Sequence, residues 1–256
     1  MTAAHLFDVA DRTVLVTGGT KGIGEMIARG FHAAGARVLL SARNADECHA
    51  LAAELGERAH AVPGDVATAA GCAALAAAAA EHVGHLDVLV NNAGTTWGAP
   101  LRSYPDSGWD KVLAVNLKGP FHLTVACLEL LQRSATAAAP ARVINIGSVD
   151  GMHVPMWESY AYSASKAAVH QLTRHLASTL APEHITVNAI APGFVKSRMT
   201  SFAFEDPAAS PAASTPLGRT GGPDDMAGAA IFLASAAAAW ITGVVLPVDG
   251  GYVTLQ

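Results

Sequence analysis

Basic residues are scarce in this chain: 16 Lys and Arg stand against 21 Asp and Glu among 256 residues, a net charge of −5. With no basic cluster, nothing in the charge pattern supports nucleic-acid binding. Cysteine is scarcer still. Cys48, Cys72 and Cys127 are odd in number and far apart, which excludes a disulfide framework and any paired metal-ligand spacing. No metal is expected, and unpaired thiols suit a reducing compartment. The opening Met-Thr-Ala-Ala-His-Leu-Phe-Asp lacks the charged, apolar and cleavage regions of a signal peptide, so a cytoplasmic location is the expectation. A long charge-free stretch, Met226–Val248, is interrupted by Ser235, Thr242, Gly243 and Pro247. It reads as a buried helix to about Ala239, a Thr-Gly turn and a final strand from Val244, and no membrane span is expected.

What the chain has is apolar material: 51% of its residues are hydrophobic. Short runs rich in Val, Ile and Leu occupy Thr13–Thr17, Arg37–Ser41, Ala59–Val62, Leu86–Asn91, Arg142–Gly147, Ile185–Ile190 and Val244–Val248. Without strict polar alternation, they read as strands covered on both faces. Between them, helices are expected over Ile23–Ala34, Ala45–Leu55, Ala70–Val83, Trp109–Arg133 and Tyr162–Leu180. The alternation implies an α/β fold with a parallel sheet and right-handed crossovers. The run Ala76–Ala80 has the highest helix propensity and reads as helix, not linker. The pattern breaks at Lys196–Asp225, which is rich in Pro, Ser, Ala and Gly and too long for an ordinary connection. Its apolar Met199, Phe202 and Phe204 suit a lid over a site.

Thr17-Gly18-Gly19-Thr20-Lys21-Gly22-Ile23-Gly24 follows the first strand and opens the first helix. Glycines there permit a tight turn and let backbone N–H groups approach a pyrophosphate at the helix N-terminus. The spacing Gly-x3-Gly-x-Gly differs from Gly-x-Gly-x-x-Gly, but its place in an alternating chain marks a dinucleotide site. The second strand ends Ser41-Ala42-Arg43-Asn44, with no acid before Asp46 to bind a ribose 2′-hydroxyl. Arg43 instead offers a planar fork to a 2′-phosphate, and Lys21 lies in the turn nearby, so NADP(H) is favoured over NAD(H).

Tyr162 and Lys166 are four residues apart, which places them on one helical face with Cβ atoms roughly 5–6 Å apart. A free phenol, with a pKa of about 10, exchanges protons poorly at neutral pH, and an ammonium beside it would lower that value. Together with Asn91-Asn92-Ala93-Gly94, Asn116, Ser148 and Pro192-Gly193, these motifs resemble the short-chain dehydrogenase/reductase family over essentially the whole chain. The resemblance implies one Rossmann-like domain: a doubly wound parallel sheet of seven strands, ordered 3-2-1-4-5-6-7, with helices on both faces. It implies Tyr162 as catalytic acid/base, with Lys166 lowering its pKa and binding the nicotinamide ribose. Ser148 would bond the substrate oxygen, and Asn116 would hold a water that relays protons to Lys166. The cofactor would meet Gly18, Thr20, Lys21, Gly22, Ile23, Gly24 and Arg43. Asp65 and Val66 would contact adenine, and Asn91 its adenosine side, next to Asn92, Ala93 and Gly94. The segment Pro192–Ser197, with Pro192, Gly193, Val195 and Ser197, would hold the nicotinamide amide. Tyr160 is set aside, because Ala164 stands four residues on. Ser148 to Tyr162 is 14 residues (162 − 148), one more than the family's commonest spacing, and the extra residue is expected within Asp150–Ser159.

These residues imply interconversion of a ketone and a secondary alcohol. Ala93–Gly98, Ser103-Tyr104-Pro105 and Arg142–Ser148 resemble the rhamnolipid-pathway type of 3-oxoacyl reductase, which implies a β-ketoacyl thioester or β-ketoester substrate. Trp97, His153, Trp157 and Met199 are candidates for an apolar pocket wall. The helix end Ala181-Pro182-Glu183-His184 lacks basic residues to dock an acidic carrier protein. A sugar, polyol, steroid or other secondary-alcohol dehydrogenase is the alternative, and a non-catalytic dinucleotide sensor a more distant one. The family is commonly homotetrameric, and the apolar Trp109–Arg133 segment offers a surface for that.

Overall fold

Val, Leu and Ile runs too short for helices, apolar on both faces, line up as one parallel sheet. The computed structural model describes residues 3–197, 200–201 and 211–255. Its strands are β1 (Thr13–Thr17), β2 (Arg37–Ser41), β3 (Ala59–Ala61), β4 (Val88–Asn91), β5 (Ala141–Ile146), β6 (Ile185–Pro192) and β7 (Val245–Val248). They are ordered β3-β2-β1-β4-β5-β6-β7, as expected, and every neighbouring pair is parallel. The direction of winding reverses between β1 and β4, which opens a crevice at the carboxyl ends of those strands.

The helices are α1 (Ala3–Leu6), α2 (Gly22–Ala33), α3 (Ala45–Leu55), α4 (Ala69–His82), α5 (Asp106–Leu113), α6 (Gly119–Ala126), α7 (Leu128–Ser134), α8 (Tyr160–Leu180) and α9 (Pro223–Ala234). Side chains alternate across each strand, so one strand feeds two cores. Val14 and Val16 join Ile27, Phe31, Met226 and Leu233 on one face. Leu15 joins Leu75, Leu123, Leu131 and Leu180 on the other. Asn44 caps α3 by accepting from Glu47 N at 3.3 Å, and Thr68 caps α4 by accepting from Gly71 N at 3.0 Å. Both caps satisfy donors that a helix start leaves free.

One expected helix is not continuous. Trp109–Arg133 is divided among α5, a π-turn over Ala114–Lys118, α6 and α7. Pro120 is the physical reason: it has no N–H to donate four residues back, so the Asn116 carbonyl loses its α-helical partner. The chain widens instead, and Gly119 N donates to Ala114 O. Helix α8 begins two residues earlier than expected, at Tyr160, which puts Tyr162 within its first turn. Among the described residues no helix is long and apolar enough to cross a membrane. Nor, among them, does any group of three His, Cys, Asp or Glu residues stand placed to hold a metal ion.

Candidate active site

The glycine turn follows β1 at the strand's carboxyl end. Gly18 and Gly22 have φ of 61° and 54°, a region that side chains avoid. Gly24 is helical but has no room: a Cβ there would stand 2.2 Å from Gly18 O and 2.3 Å from Asn92 Nδ2. Asn92 Nδ2 donates to Thr17 O at 2.9 Å and to Gly18 O at 3.1 Å, so the carboxamide staples the turn to β4. Thr17, which opens the turn motif, completes the staple. Its hydroxyl accepts from Asn92 N and Ala93 N at 3.0 and 3.1 Å. Its partners, Asn92 and Ala93, lie 75 and 76 residues away in sequence, so no local signal marked the contact.

The other expected dinucleotide residues fall around this turn. Val66 and Ala93 line a narrow crevice with Thr17, Gly119 and Pro120. Asp65 is exposed beside it, its carboxylate accepting from Ala67 N at 3.0 Å. Ser197 stands opposite Gly22, where an added Cβ would be 3.2 Å away. Gly193 follows β6 with N–H bonded to Val248 O at 3.1 Å, and Val195 is buried. Thr20 and Lys21 both turn toward Glu47: Thr20 Oγ1 at 3.5 Å and Lys21 Nζ at 2.6 Å. Arg43 is exposed at the end of β2. Asn91 lines the same crevice as Val66 and Ala93, its buried carboxamide donating to Asn145 Oδ1 at 2.9 Å and Thr124 Oγ1 at 3.2 Å.

At the ends of β4 and β5 the second group of residues meets. Lys166 Nζ donates to Ile146 O at 2.7 Å, tying α8 to the strand that precedes Ser148. The same Nζ lies 5.6 Å from the centre of the Tyr162 ring. Asn116, on the π-turn, spends its carboxamide locally: Nδ2 donates to Thr95 O at 2.9 Å and Ser165 Oγ at 3.0 Å, and Oδ1 accepts from Thr95 N at 2.8 Å. Ser165 Oγ in turn donates to Tyr162 O at 2.7 Å. A Cβ on Gly94 would stand 3.6 Å from Asn116 Oδ1 and 3.8 Å from Lys166 Nζ, so the Asn-Asn-Ala-Gly segment passes directly over this cluster. Tyr160 points elsewhere and donates to Glu158 Oε1 at 3.0 Å.

Electrostatically the pair is not what spacing alone suggested. Burial pushes the Tyr162 phenol up to about 12, a hydrogen bond from Ser148 opposing the rise and the Asp150 carboxylate adding to it. Burial likewise lowers the Lys166 ammonium to about 8, with Asp150 pulling it back up. Desolvation disfavours the charged form of both groups, and it outweighs the expected lowering of the phenol by the ammonium. Four other influences face the pair: the Ser148 hydroxyl, the Asp150 carboxylate, the partial positive charge of the α8 N-terminus and, one turn on, His170.

Beyond Ser148 an aromatic wall rises. Trp157 packs edge-on to Phe194 at 6.0 Å, Phe194 to Tyr252 at 5.0 Å, and Tyr252 to His153 at 5.0 Å. His153 and Trp157 were expected there, whereas Phe194 and Tyr252 carried no local motif. Trp97 lies instead against Gly108 of α5, under Lys111 Nζ at 5.4 Å. Met199, Phe202 and Phe204 lie outside the described residues. The ends of their segment are joined, because Val195 and Gly221 form a parallel bridge and Gly221 N donates to Phe194 O at 2.9 Å.

Comparison with known proteins agrees with this geometry. The family model described as Enoyl-(Acyl carrier protein) reductase matches residues 18–253. The rhamnolipids biosynthesis 3-oxoacyl-(acyl-carrier-protein) reductase of Pseudomonas aeruginosa is 52% identical over 250 residues, covering 96% of this chain and 98% of that protein. The galactitol 2-dehydrogenase (L-tagatose-forming) of Cereibacter sphaeroides is 42% identical over 93% of each. Among solved structures, the Pseudomonas aeruginosa RhlG/NADP active-site complex matches with TM-score 0.93 and 51% identity, covering 97% and 98% of the two chains. A gluconate 5-dehydrogenase from Burkholderia cenocepacia in complex with NADP and tartrate matches at 0.91 and 34%, covering 99% of each.

Proposed function

The chain belongs to the short-chain dehydrogenase/reductase family, an oxidoreductase family, and from that premise we propose an NADP(H)-dependent reductase of 3-oxoacyl thioesters or esters. The observation that carries the reading is the gathering of Tyr162, Lys166, Ser148 and Asn116 at the strand ends beside the glycine turn.

The residues present fit the dinucleotide. The turn at Gly18–Gly24 has no room for a Cβ at Gly18, Gly19 or Gly24, and it opens the N-terminus of a twelve-residue helix. Gly18, Thr20, Gly22, Ile23 and Gly24 would hold the pyrophosphate side, and Asp65, Val66, Asn92, Ala93 and Gly94 the adenosine side. Lys21 and Arg43 would hold the 2′-phosphate. Tyr162, Lys166, Pro192, Gly193, Val195 and Ser197 would hold the nicotinamide end. When bound, NADP(H) supplies the hydride.

Tyr162 Oη then carries the proton given to the ketone oxygen or taken from the alcohol, and Ser148 bonds that oxygen as it gains charge. Lys166, buried, is held on the phenol's side of the site by its bond to Ile146 O. Because the Asn116 carboxamide is committed to Thr95 and Ser165, a relaying water would rest on its main-chain carbonyl, the one Pro120 leaves without a helical donor.

Two features favour an acyl substrate: the 52% identical reductase and the wall of Trp157, Phe194 and Tyr252, with Met152, Val154 and Met156 exposed beyond it. Glu183, in the turn after α8 and paired with Gln132, disfavours an acidic carrier protein and favours uncharged β-ketoesters. The galactitol and gluconate dehydrogenases among the relatives support polyol oxidation as a second reading. We extend the proposal to a single domain in a cytoplasmic homotetramer. Three unpaired thiols support the location, and Phe121, Val125 and Trp240, exposed on the surface, support the assembly.

The test is a substrate panel of β-ketoacyl thioesters, β-ketoesters, steroids and sugars, read by nicotinamide absorbance with both reduced cofactors. Fastest NADPH consumption with a β-ketoester or thioester is expected. Turnover confined to polyols and NAD+ would overturn both the substrate and the role given to Arg43.

A further inference from the structure

Tyr104, from the Ser103-Tyr104-Pro105 motif, stands where the loop after β4 meets the start of α8. A hydroxyl has one hydrogen to give and lone pairs to receive, and Tyr104 uses both. Its Oη donates to Trp97 O at 3.0 Å and accepts from Ala161 N at 3.3 Å. The first N–H groups of a helix have no partner inside it. In α8 the residue placed to cap them, Ser159, makes no side-chain bond to them. Ala161 is fully buried, and its N–H is met by the tyrosine hydroxyl instead. The Tyr104 ring lies edge-on to Trp109 of α5 at 5.9 Å and to Tyr160 of α8 at 5.5 Å.

The same loop is stitched to the start of α8 beside this contact. Ala99 N donates to Glu158 O at 3.2 Å, and Leu101 N to Glu158 Oε1 at 3.1 Å. That carboxylate oxygen also accepts from Tyr160 Oη at 3.0 Å. The loop's other end is fixed over the site, where Thr95 N and O are both bonded to the Asn116 carboxamide. The chain from Thr95 to Tyr104 therefore runs from the π-turn to the residues just before Tyr162. Lys166 has its own anchor at Ile146 O, so Tyr162 lies in sequence between that anchor and the Tyr104 contact.

We propose that Tyr104 is a positioning residue, whose hydroxyl clasps the loop to the first turn of α8 and thereby fixes where Tyr162 Oη meets the substrate oxygen. This rests on the reading of Tyr162 as acid/base. Without the clasp the first turn of α8 frays while Lys166 stays anchored, and the phenol shifts relative to the ammonium. A reacting group displaced by about 1 Å can lose on the order of 10²-fold in rate, so a partial displacement is enough to be read.

The experiment compares wild type with Tyr104→Phe, which keeps the ring and removes the hydroxyl. Single-turnover reduction of a β-ketoester by the NADPH-loaded enzyme should show a maximal rate lower by about tenfold, with the half-saturating ketone concentration within about threefold. Amide hydrogen exchange of the cofactor-free protein gives a readout independent of turnover. Residues 97–103 and 159–163 should both exchange about fivefold faster, the worth of one hydrogen bond, while residues 168–180 keep wild-type protection. A folded Tyr104→Phe with the wild-type maximal rate, or with exchange in residues 97–103 unmoved, overturns the proposal. If Tyr104→Phe does not fold, Glu158→Ala, at an exposed carboxylate, cuts the bonds from Leu101 and Tyr160 in the same clasp. It should lower the maximal rate in the same way by a smaller factor, and an unchanged rate there would also overturn the proposal. Retained turnover in Tyr162→Phe would instead overturn the acid/base reading and leave the exchange result standing, so the two failures are distinct.

Discussion

Gly24→Ala tests whether the glycine turn is a cradle or merely a turn. Gly24 is not among the glycines with positive φ, so alanine brings no backbone strain there. The cost is steric: its Cβ would stand 2.2 Å from Gly18 O, 2.3 Å from Asn92 Nδ2 and 2.8 Å from Gly18 C. Backbone cannot swing aside, so the Asn92 carboxamide must leave, with its bonds to Thr17 O and Gly18 O. Overpacking costs about 1–3 kcal/mol and the two lost bonds about 1 kcal/mol each, so roughly 3–5 kcal/mol is expected. Gly22→Ala is the control for strain. With φ of 54° it should cost about 1–2 kcal/mol, and among the described residues its Cβ meets Ser197 alone, at 3.2 Å. Both are measured as the urea-unfolding free energy and as the NADPH dissociation constant from fluorescence. Gly24→Ala should lose at least about tenfold in affinity, since 1.4 kcal/mol suffices for that. A folded Gly24→Ala with wild-type stability and NADPH affinity would refute the reasoning.

Further outcomes follow from the same geometry. Gly147→Ala places a Cβ 2.2 Å from His170 Nε2 and 3.2 Å from Ile190 O. It should cost about 1–3 kcal/mol and, by moving the adjacent Ser148, lower kcat more than it raises KM, as steady-state kinetics would read. His170 is held neutral by burial down to about 4, against 6.5 in the open chain. As pH falls below 6.5 the unfolded chain takes up a proton that the folded one refuses, so stability falls with pH through that window. Wild type should lose about 2 kcal/mol more than His170→Gln between pH 7 and pH 5, measured by urea unfolding, and equal losses would count against it. Glu47→Gln frees Lys21 from its 2.6 Å ion pair. NADPH binding should tighten about two- to fivefold at low salt without a matching gain for NADH, the worth of one exposed pair.

Much of the fold was legible because strand composition and helix spacing are local properties. Seven apolar runs, each broken by a turn, map onto seven strands, and the order of winding came with the family's motifs. The π-turn was not legible, although its cause, Pro120, stood in the sequence; a helix can absorb a proline by kinking, widening or ending. The glycine turn, Ser148, Asn116 and the Tyr162–Lys166 pair converge as the motifs implied. Their charges could not be read from spacing, because desolvation depends on what covers a group. The Asn91 amide shows the same limit: its bonds to Asn145 and Thr124 reach partners distant in sequence. Tyr252, its packing on Phe194, and the bonds of the Thr17 hydroxyl were missed for a related reason, since the partners are distant in sequence.

The central claim is that Tyr162 moves the proton while its neighbours only place it. The most direct measurement is single-turnover reduction of a β-ketoester by Tyr162→Phe preloaded with NADPH, followed by stopped-flow absorbance. Loss of the hydroxyl should slow nicotinamide oxidation by about 10²–10⁴-fold with the enzyme saturated with NADPH. A rate within tenfold of wild type at the same bound cofactor would contradict the claim.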